Sequence, residues 1–177
     1  VVNPDVRREN RYLKIAKKAG RKLENEASLF FRFCKNPIIA VTGTRGKTTT
    51  VNWIFHLLKK KFPRVVLTGN SSDNPMLQAL DKLDGKSPVV VELSSWQLEL
   101  LPEAKKASHI AVITNIYRDH LNRHANMQDY AKAKANIFKN QTKNDFLILN
   151  KNNLWTKFFL KLKPKAKIIY FPQKLAI

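Results

Sequence analysis

The chain has 177 residues, 44% of them hydrophobic, and 33 basic against 13 acidic side chains give a formal net charge of +20. That length suits one α/β core, or one domain plus part of another. No apolar run reaches about 18 residues, which excludes a transmembrane helix. The single cysteine, Cys34, excludes an internal disulfide and a cysteine-based zinc site, and fits a reducing, cytoplasmic setting. It is expected to be a small buried apolar residue.

Residues 9 to 20 read as a helix, with Leu13, Ile15, Ala16 and Ala19 near one face and Gly20 as its stop. A second helix is expected around 26 to 35, broken by Asn36-Pro37. From Ile38 onward the pattern becomes strand, turn, helix, repeated. Strands are expected at 38–41, 64–68, 88–93, 109–114, 146–149 and 167–171. Helices are expected at 48–60, 74–83, 129–139 and 154–162. Short apolar strands alternating with helices predict an α/β fold: a mainly parallel sheet with helices on both faces. Asn36-Pro37 is the expected domain boundary. The N-terminus shows no signal-peptide pattern and no initiator Met, so the chain is expected to be a fragment.

The charge would suit nucleic acid or another anionic surface. Yet 24 of the basic residues are Lys and only 9 are Arg, the residue suited to planar phosphate and base recognition. The lysines are scattered, with small clusters at Lys59-Lys60-Lys61 and from Lys157 to Lys167. A solvated basic surface is the preferred reading, and a nucleic-acid partner is not expected. A basic P-loop nucleic-acid-binding module stays open as an alternative.

Thr42-Gly43-Thr44-Arg45-Gly46-Lys47-Thr48-Thr49-Thr50 follows the apolar run Ile38 to Val41 and opens a helix. Glycines let backbone N–H groups face an anion, and a helix N-terminus adds its dipole. Lys47 can reach outer phosphates, and a Thr hydroxyl such as that of Thr48 can ligate Mg²⁺. The common spacing G-x-x-x-x-G-K-[ST] is not met, since Val41 stands where its first glycine belongs. Gly43, Thr44, Gly46, Lys47, Thr48 and Thr49 are nonetheless expected to form an ATP site.

Two further loops are expected at the same sheet edge. Glu92 ends the apolar strand Val89-Val90-Val91, where open parallel sheets bind ligands. A buried, unpaired Glu is costly, and a metal ion near phosphates would relieve it; capping a helix or pairing with Lys is the other reading. After the next strand come Asn115, Asp119 and His120. Imidazole and carboxylate can both ligate a divalent ion. His124 is expected at the surface. In Tyr130 to Phe138 the pattern by itself says amphipathic helix, with Tyr130, Ala133, Ile137 and Phe138 inward and the lysines outward.

The T-G-T-x-G-K-T-T loop resembles that of the Mur ligase superfamily, whose members join amino acids to peptidoglycan precursors or to folate through an acyl-phosphate. Arg45 stands where that loop usually has Asn. Glu92-Leu93-Ser94-Ser95-Trp96-Gln97-Leu98-Glu99 is similar to the branch that adds D-glutamate to UDP-N-acetylmuramoyl-L-alanine. So are Asn115-Ile116 with Asp119-His120-Leu121 and Arg123-His124, followed by Tyr130 to Lys134. The resemblance implies two Mg²⁺ ions held by Thr48, Glu92, His120 and Lys134, the lysine being carbamylated. It implies catalytic roles for Lys47, His120 and Lys134, with Ser94, near Glu92, binding substrate. Gly69-Asn70-Ser71 resembles a turn whose Asn contacts the muramoyl substrate, which would make Asn70 substrate-binding. Asn150-Lys151-Asn152-Asn153 resembles a strand-end Asn-x-Asp-Asp with an acid missing at Asn153, and Asn122 replaces a usual Asp.

The domain layout implied is the tail of a UDP-substrate domain at 1–36 and part of a central ATP-binding domain at 37–177, with the C-terminal ligase domain absent. The chain alone is then expected to be catalytically incomplete, and monomeric. A folylpolyglutamate or poly-γ-glutamate type ligase is the alternative within the superfamily. A decayed, non-catalytic remnant is a third possibility.

Overall fold

The structure is a computed structural model that describes residues 1–3, 6, 9–70, 74–119 and 123–172. Strands β1 (Ile38–Thr42), β2 (Val66–Gly69), β3 (Val89–Glu92), β4 (Ile110–Ile113), β5 (Phe146–Asn150) and β6 (Lys167–Phe171) form one sheet in the order β2-β3-β1-β4-β5-β6. Every pairing is parallel, with Ile38 opposite Val89, Ile39 opposite Ile110 and Phe146 opposite Lys167. All strand C-termini therefore share one edge.

The central strands are apolar throughout because both of their faces are covered. On one side Ile38, Ala40, Val89, Val91, Ala111, Ile113, Leu147 and Leu149 join the main core. They pack with Phe30 and Phe31 of α2 (Glu26–Phe33), Tyr130, Ala131 and Ala135 of α6 (Met127–Ala135), and Phe159 of α7 (Thr156–Lys161). On the other side Val41, Val90 and Val112 meet Val51 of α3 (Lys47–Lys59). Each fully buried Val, Leu, Ile or Phe contributes about 1.5–3 kcal/mol. The α3 side is the thinner layer. α3 packs over β1, β2 and β3, while β6 leaves Ile169 37% exposed.

The remaining elements are α1 (Arg11–Lys18), α4 (Met76–Ala79) and α5 (Ser95–Leu98), with 3-10 turns at Leu80–Lys82, Leu101–Ala104 and Asn136–Phe138. Expected and observed elements agree in type and order, with three differences. The helix expected at 129–139 ends at Ala135 and closes in a 3-10 turn at Asn136–Phe138. The helix expected at 74–83 is a single α turn followed by a 3-10 turn. The helical turns over 95–104 are additional to the expected elements. They begin at a capping box in which Ser94 Oγ accepts the Gln97 N–H and Gln97 Oε1 accepts the Ser94 N–H.

Before β1, Asn36 Nδ2 donates to Asp84 Oδ1 at 3.0 Å and to the Ser87 carbonyl at 2.7 Å, while its Oδ1 accepts the Gly85 N–H. These bonds hold the expected boundary residue to the loop ahead of β3. Cys34 is buried as expected, and burial pushes its thiol pKa up. No helix among the described residues is long and apolar enough to cross a membrane.

Candidate active site

β1 delivers the chain into the loop 43–46, and α3 begins at Lys47. Gly46 is the N-cap with φ +80°, a left-handed conformation suited to glycine. It offers no side-chain cap, so the first-turn N–H groups of α3 keep their capacity for an anion. Gly43 has φ +151°, and a Cβ there would fall 1.9 Å from Thr114 Oγ1. Lys47 Nζ donates to the Thr44 carbonyl at 3.1 Å, folding its side chain back over the loop. Thr48 and Thr49 lie exposed on the first helical turn.

The loop is latched to the segment that leaves β4. Thr44 N–H donates to the Asn115 carbonyl at 2.9 Å, and Thr114 Oγ1 donates to the Arg45 carbonyl at 2.7 Å. Asn115 accepts the Arg45 N–H through Oδ1 and donates to the Arg45 carbonyl through Nδ2, both at 3.0 Å. Tyr117 N–H donates to Thr44 Oγ1 at 3.0 Å, and the Tyr130 hydroxyl shares a 3.2 Å hydrogen bond with the same oxygen.

Beneath the loop lies Lys134, only 2% exposed. Its Nζ donates to Thr42 Oγ1 at 3.3 Å and sits 4.8 Å from the Tyr130 ring centroid. Thr42 Oγ1 donates onward to the Leu93 carbonyl at 2.7 Å, which leaves a lone pair facing the lysine. Burial first, and the nearby Lys47 second, lower the Lys134 pKa to about 7, against the opposing pull of Asp119 and Glu92. Burial pushes the Tyr130 hydroxyl up to about 12. Glu92 is 7% exposed at the end of β3, and its carboxylate makes no hydrogen bond or ion pair with a described residue. A buried carboxylate with open lone pairs, on the same sheet edge as an uncapped helix N-terminus, has oxygen-donor chemistry that suits Mg²⁺, while the helix N–H groups suit phosphate. Ser94, two residues on, caps α5, so Glu92 does not fill that role.

Asn70 is exposed at the end of β2, its N–H donating to the Glu92 carbonyl at 3.1 Å. The topology thus brings Asn70, Glu92, Ser94, Lys47, Thr48 and Lys134 to one edge. His120 and Asn122 lie outside the described residues, as do Ser71, Ser72 and Asp73.

Residues 41–175 match the family model described as Mur ligase middle domain. The chain belongs to the Mur ligase family. It is 48% identical over 173 residues to the UDP-N-acetylmuramoylalanine--D-glutamate ligase of Borreliella afzelii (strain PKo), covering 98% of this chain and 36% of that relative. Against the enzyme of the same name from Roseiflexus sp. (strain RS-1), identity is 45% over 150 residues, covering 85% and 32%. The chain thus spans about a third of the length of the curated relatives it matches. The MurF ligase of Thermotoga maritima in complex with ADP superimposes with a TM-score of 0.62 at 20% identity, covering 81% of this chain and 34% of that one. This likeness supports the fold.

Within this Mur ligase domain, four residues stand differently from the sequence expectation or go beyond it. Lys134 is buried, where the helical pattern by itself turns the lysines outward. His124 is buried, not at the surface: its Nε2 is 3.0 Å from Ser95 Oγ and its ring centroid 5.2 Å from that of Tyr130. Packing of α6 against α5 draws it inward. Tyr130 points inward as expected, and its hydroxyl also reaches Thr44 in the loop 43–46. Thr42, read as the first residue of the loop motif, is the last residue of β1 and sits between the buried lysine and β3. Arg45 has an exposed side chain with its guanidinium carbon 6.0 Å from the Tyr117 ring centroid.

Proposed function

We propose that the chain is the nucleotide-binding part of an ATP-dependent ligase that adds D-glutamate to UDP-N-acetylmuramoyl-L-alanine in peptidoglycan synthesis. The observation that carries this reading is the buried Lys134, hydrogen-bonded to Thr42 where β1 runs into the loop 43–46, with Glu92 ending the neighbouring strand β3. The names of the curated relatives supply the substrates, and the ADP in the MurF neighbour supports nucleotide binding.

In this reading the N–H groups of Gly46 to Thr49 and the Lys47 ammonium hold the outer phosphates of ATP, with Gly43 and Thr44 completing the cradle. The terminal phosphoryl group passes to the carboxylate of the alanyl substrate. The amine of D-glutamate then attacks the acyl carbon, phosphate leaves with the C–O bonding pair, and the amine gives up a proton. Asn70 contacts the muramoyl part of the substrate and Ser94 stands beside Glu92. Thr48 and Glu92 would hold one Mg²⁺, and His120 with Lys134 a second. When bound, these ions neutralise charge on the transferring phosphoryl oxygens. An amine that is substantially neutral near pH 7 can attack CO₂, forming an N–C bond and releasing a proton. The resulting carbamate turns Lys134 into an anionic oxygen ligand.

The isolated chain is expected to bind nucleotide without completing the amide. Calorimetry with Mg²⁺·ADP should show binding that Lys47→Ala removes. In the longer protein, ADP release should require both UDP-N-acetylmuramoyl-L-alanine and D-glutamate. Release supported equally by another amino acid would redirect the assignment to a sister ligase. ¹³C-bicarbonate should give a carbamate NMR signal that Lys134→Met abolishes, and its absence from the parent chain would remove the carbamate from the scheme.

A further inference from the structure

We propose that Asn153 is a positioning residue for the phosphate loop, acting through a second amide clamp stacked behind that of Asn115. The proposal rests on the nucleotide reading of loop 43–46. Asn115 pairs its side-chain amide with both the N–H and the C=O of Arg45. Asn153 does the same to Ile116: Oδ1 accepts the Ile116 N–H at 3.3 Å and Nδ2 donates to the Ile116 carbonyl at 3.2 Å. Each amide acts as one extra rung of a β ladder at a place where strand pairing has ended. Asn150 Nδ2 adds a bond to the Thr114 carbonyl at 3.1 Å.

Thr114, Asn115 and Ile116 are consecutive. The end of β5 grips Thr114 and Ile116 from one side, and Thr114, Asn115 and Tyr117 grip Thr44 and Arg45 on the other. Asn153 is itself fixed to β5, its N–H donating to the Asn150 carbonyl at 3.1 Å. Ile116 is 2% exposed, so water would poorly replace a lost partner. Rigid strand, clamp and loop thus form one connected set of hydrogen bonds running from β5 to the first turn of α3.

A carboxylate at 153 could accept the Ile116 N–H but has no hydrogen for the Ile116 carbonyl, and would set two oxygens against each other. The amide at 153 therefore adds a rung that an acid would not. Asn153 Oδ1 also accepts the Trp155 N–H at 3.2 Å, a local turn that Asp would keep. Asn153→Asp consequently separates the clamp from the turn.

Amide hydrogen exchange on the nucleotide-free chain and on Asn153→Asp is the first arm of the test. Thr44, Arg45 and Tyr117 amides should exchange about fivefold faster in the variant, the effect of losing roughly one net hydrogen bond. Amides of Ile39 to Val41 should not change. Faster exchange confined to Trp155 and Thr156, or spread evenly over the sheet, or absent, overturns the proposal. In the second arm, Mg²⁺·ADP affinity should fall by a similar factor. If the parent chain binds ADP and Asn153→Asp binds it equally well, the positioning role fails while the nucleotide reading stands. If loop exchange changes as expected but the parent binds no ADP, the nucleotide reading fails and the clamp stands. Should Asn153→Asp not fold, Asn153→Ser, whose hydroxyl is too short to bridge both Ile116 groups, is expected to give the same localised exchange.

Discussion

Lys134 ties stability to pH with a definite sign. Its proton leaves near pH 7 in the folded chain and near its ordinary 10.5 in the unfolded one. Between those values the unfolded state binds more protons, so stability rises with pH across that window. Below it both states are protonated and the penalty of burying the cation is constant. In CO₂-free buffer the melting temperature should climb as pH rises above 7, and Lys134→Met should flatten the climb. A climb unchanged in the variant would assign it to another group. Cys34, with its thiol pushed up by burial, acts in the opposite sense at the alkaline end. The lysine's burial was not legible in the helical pattern alone, which turned the lysines of this stretch outward. Only the folded sheet brings Thr42 and Lys47 against it. The demand for glycine at 43 is equally non-local, since the clash is with Thr114 on another strand end. Gly43→Ala should therefore destabilise by about 1–3 kcal/mol in urea unfolding. It should exceed Gly46→Ala, where an added Cβ meets nothing within 4 Å and only the positive φ is strained.

At the scale of elements, strands were the easiest features to read. β1, β3 and β4 are short apolar runs bounded by turn residues, and burial on both faces allows nothing else. Helix ends were harder. The turns at 95–104 begin inside a stretch read for its chemistry, although Ser94-x-x-Gln97 carries a capping-box signal. α2 shows how much one cap can do. Asn25 Oδ1 accepts the Ser28 N–H, its own N–H donates to Ser28 Oγ, and Nδ2 donates to the Gln97 carbonyl of α5, each at 2.9 Å. Asn25→Ala removes the cap and leaves a buried carbonyl without its partner. It should cost about 1–3 kcal/mol in chemical denaturation. A loss below about 0.5 kcal/mol would mean that packing of Phe30 and Phe31 alone holds α2 in place.

Across the whole molecule, a net charge of +20 opposes compaction by self-repulsion. Raising chloride salt from low ionic strength should increase the melting temperature as the Debye length shortens. A flat response would mean the lysines are already far enough apart to be screened by water. The all-parallel sheet has a consequence for how the chain acquires its shape. β1 lies inside the sheet, and its neighbours arrive late: Ile38 meets Val89, and Ile39 meets Ile110. No two strands can join through a tight hairpin, so every pairing must wait for a long loop to close. Assembly should therefore be slow for a chain of this length, and half-built intermediates will present naked strand edges to one another. Recovery after dilution from denaturant should fall as protein concentration rises.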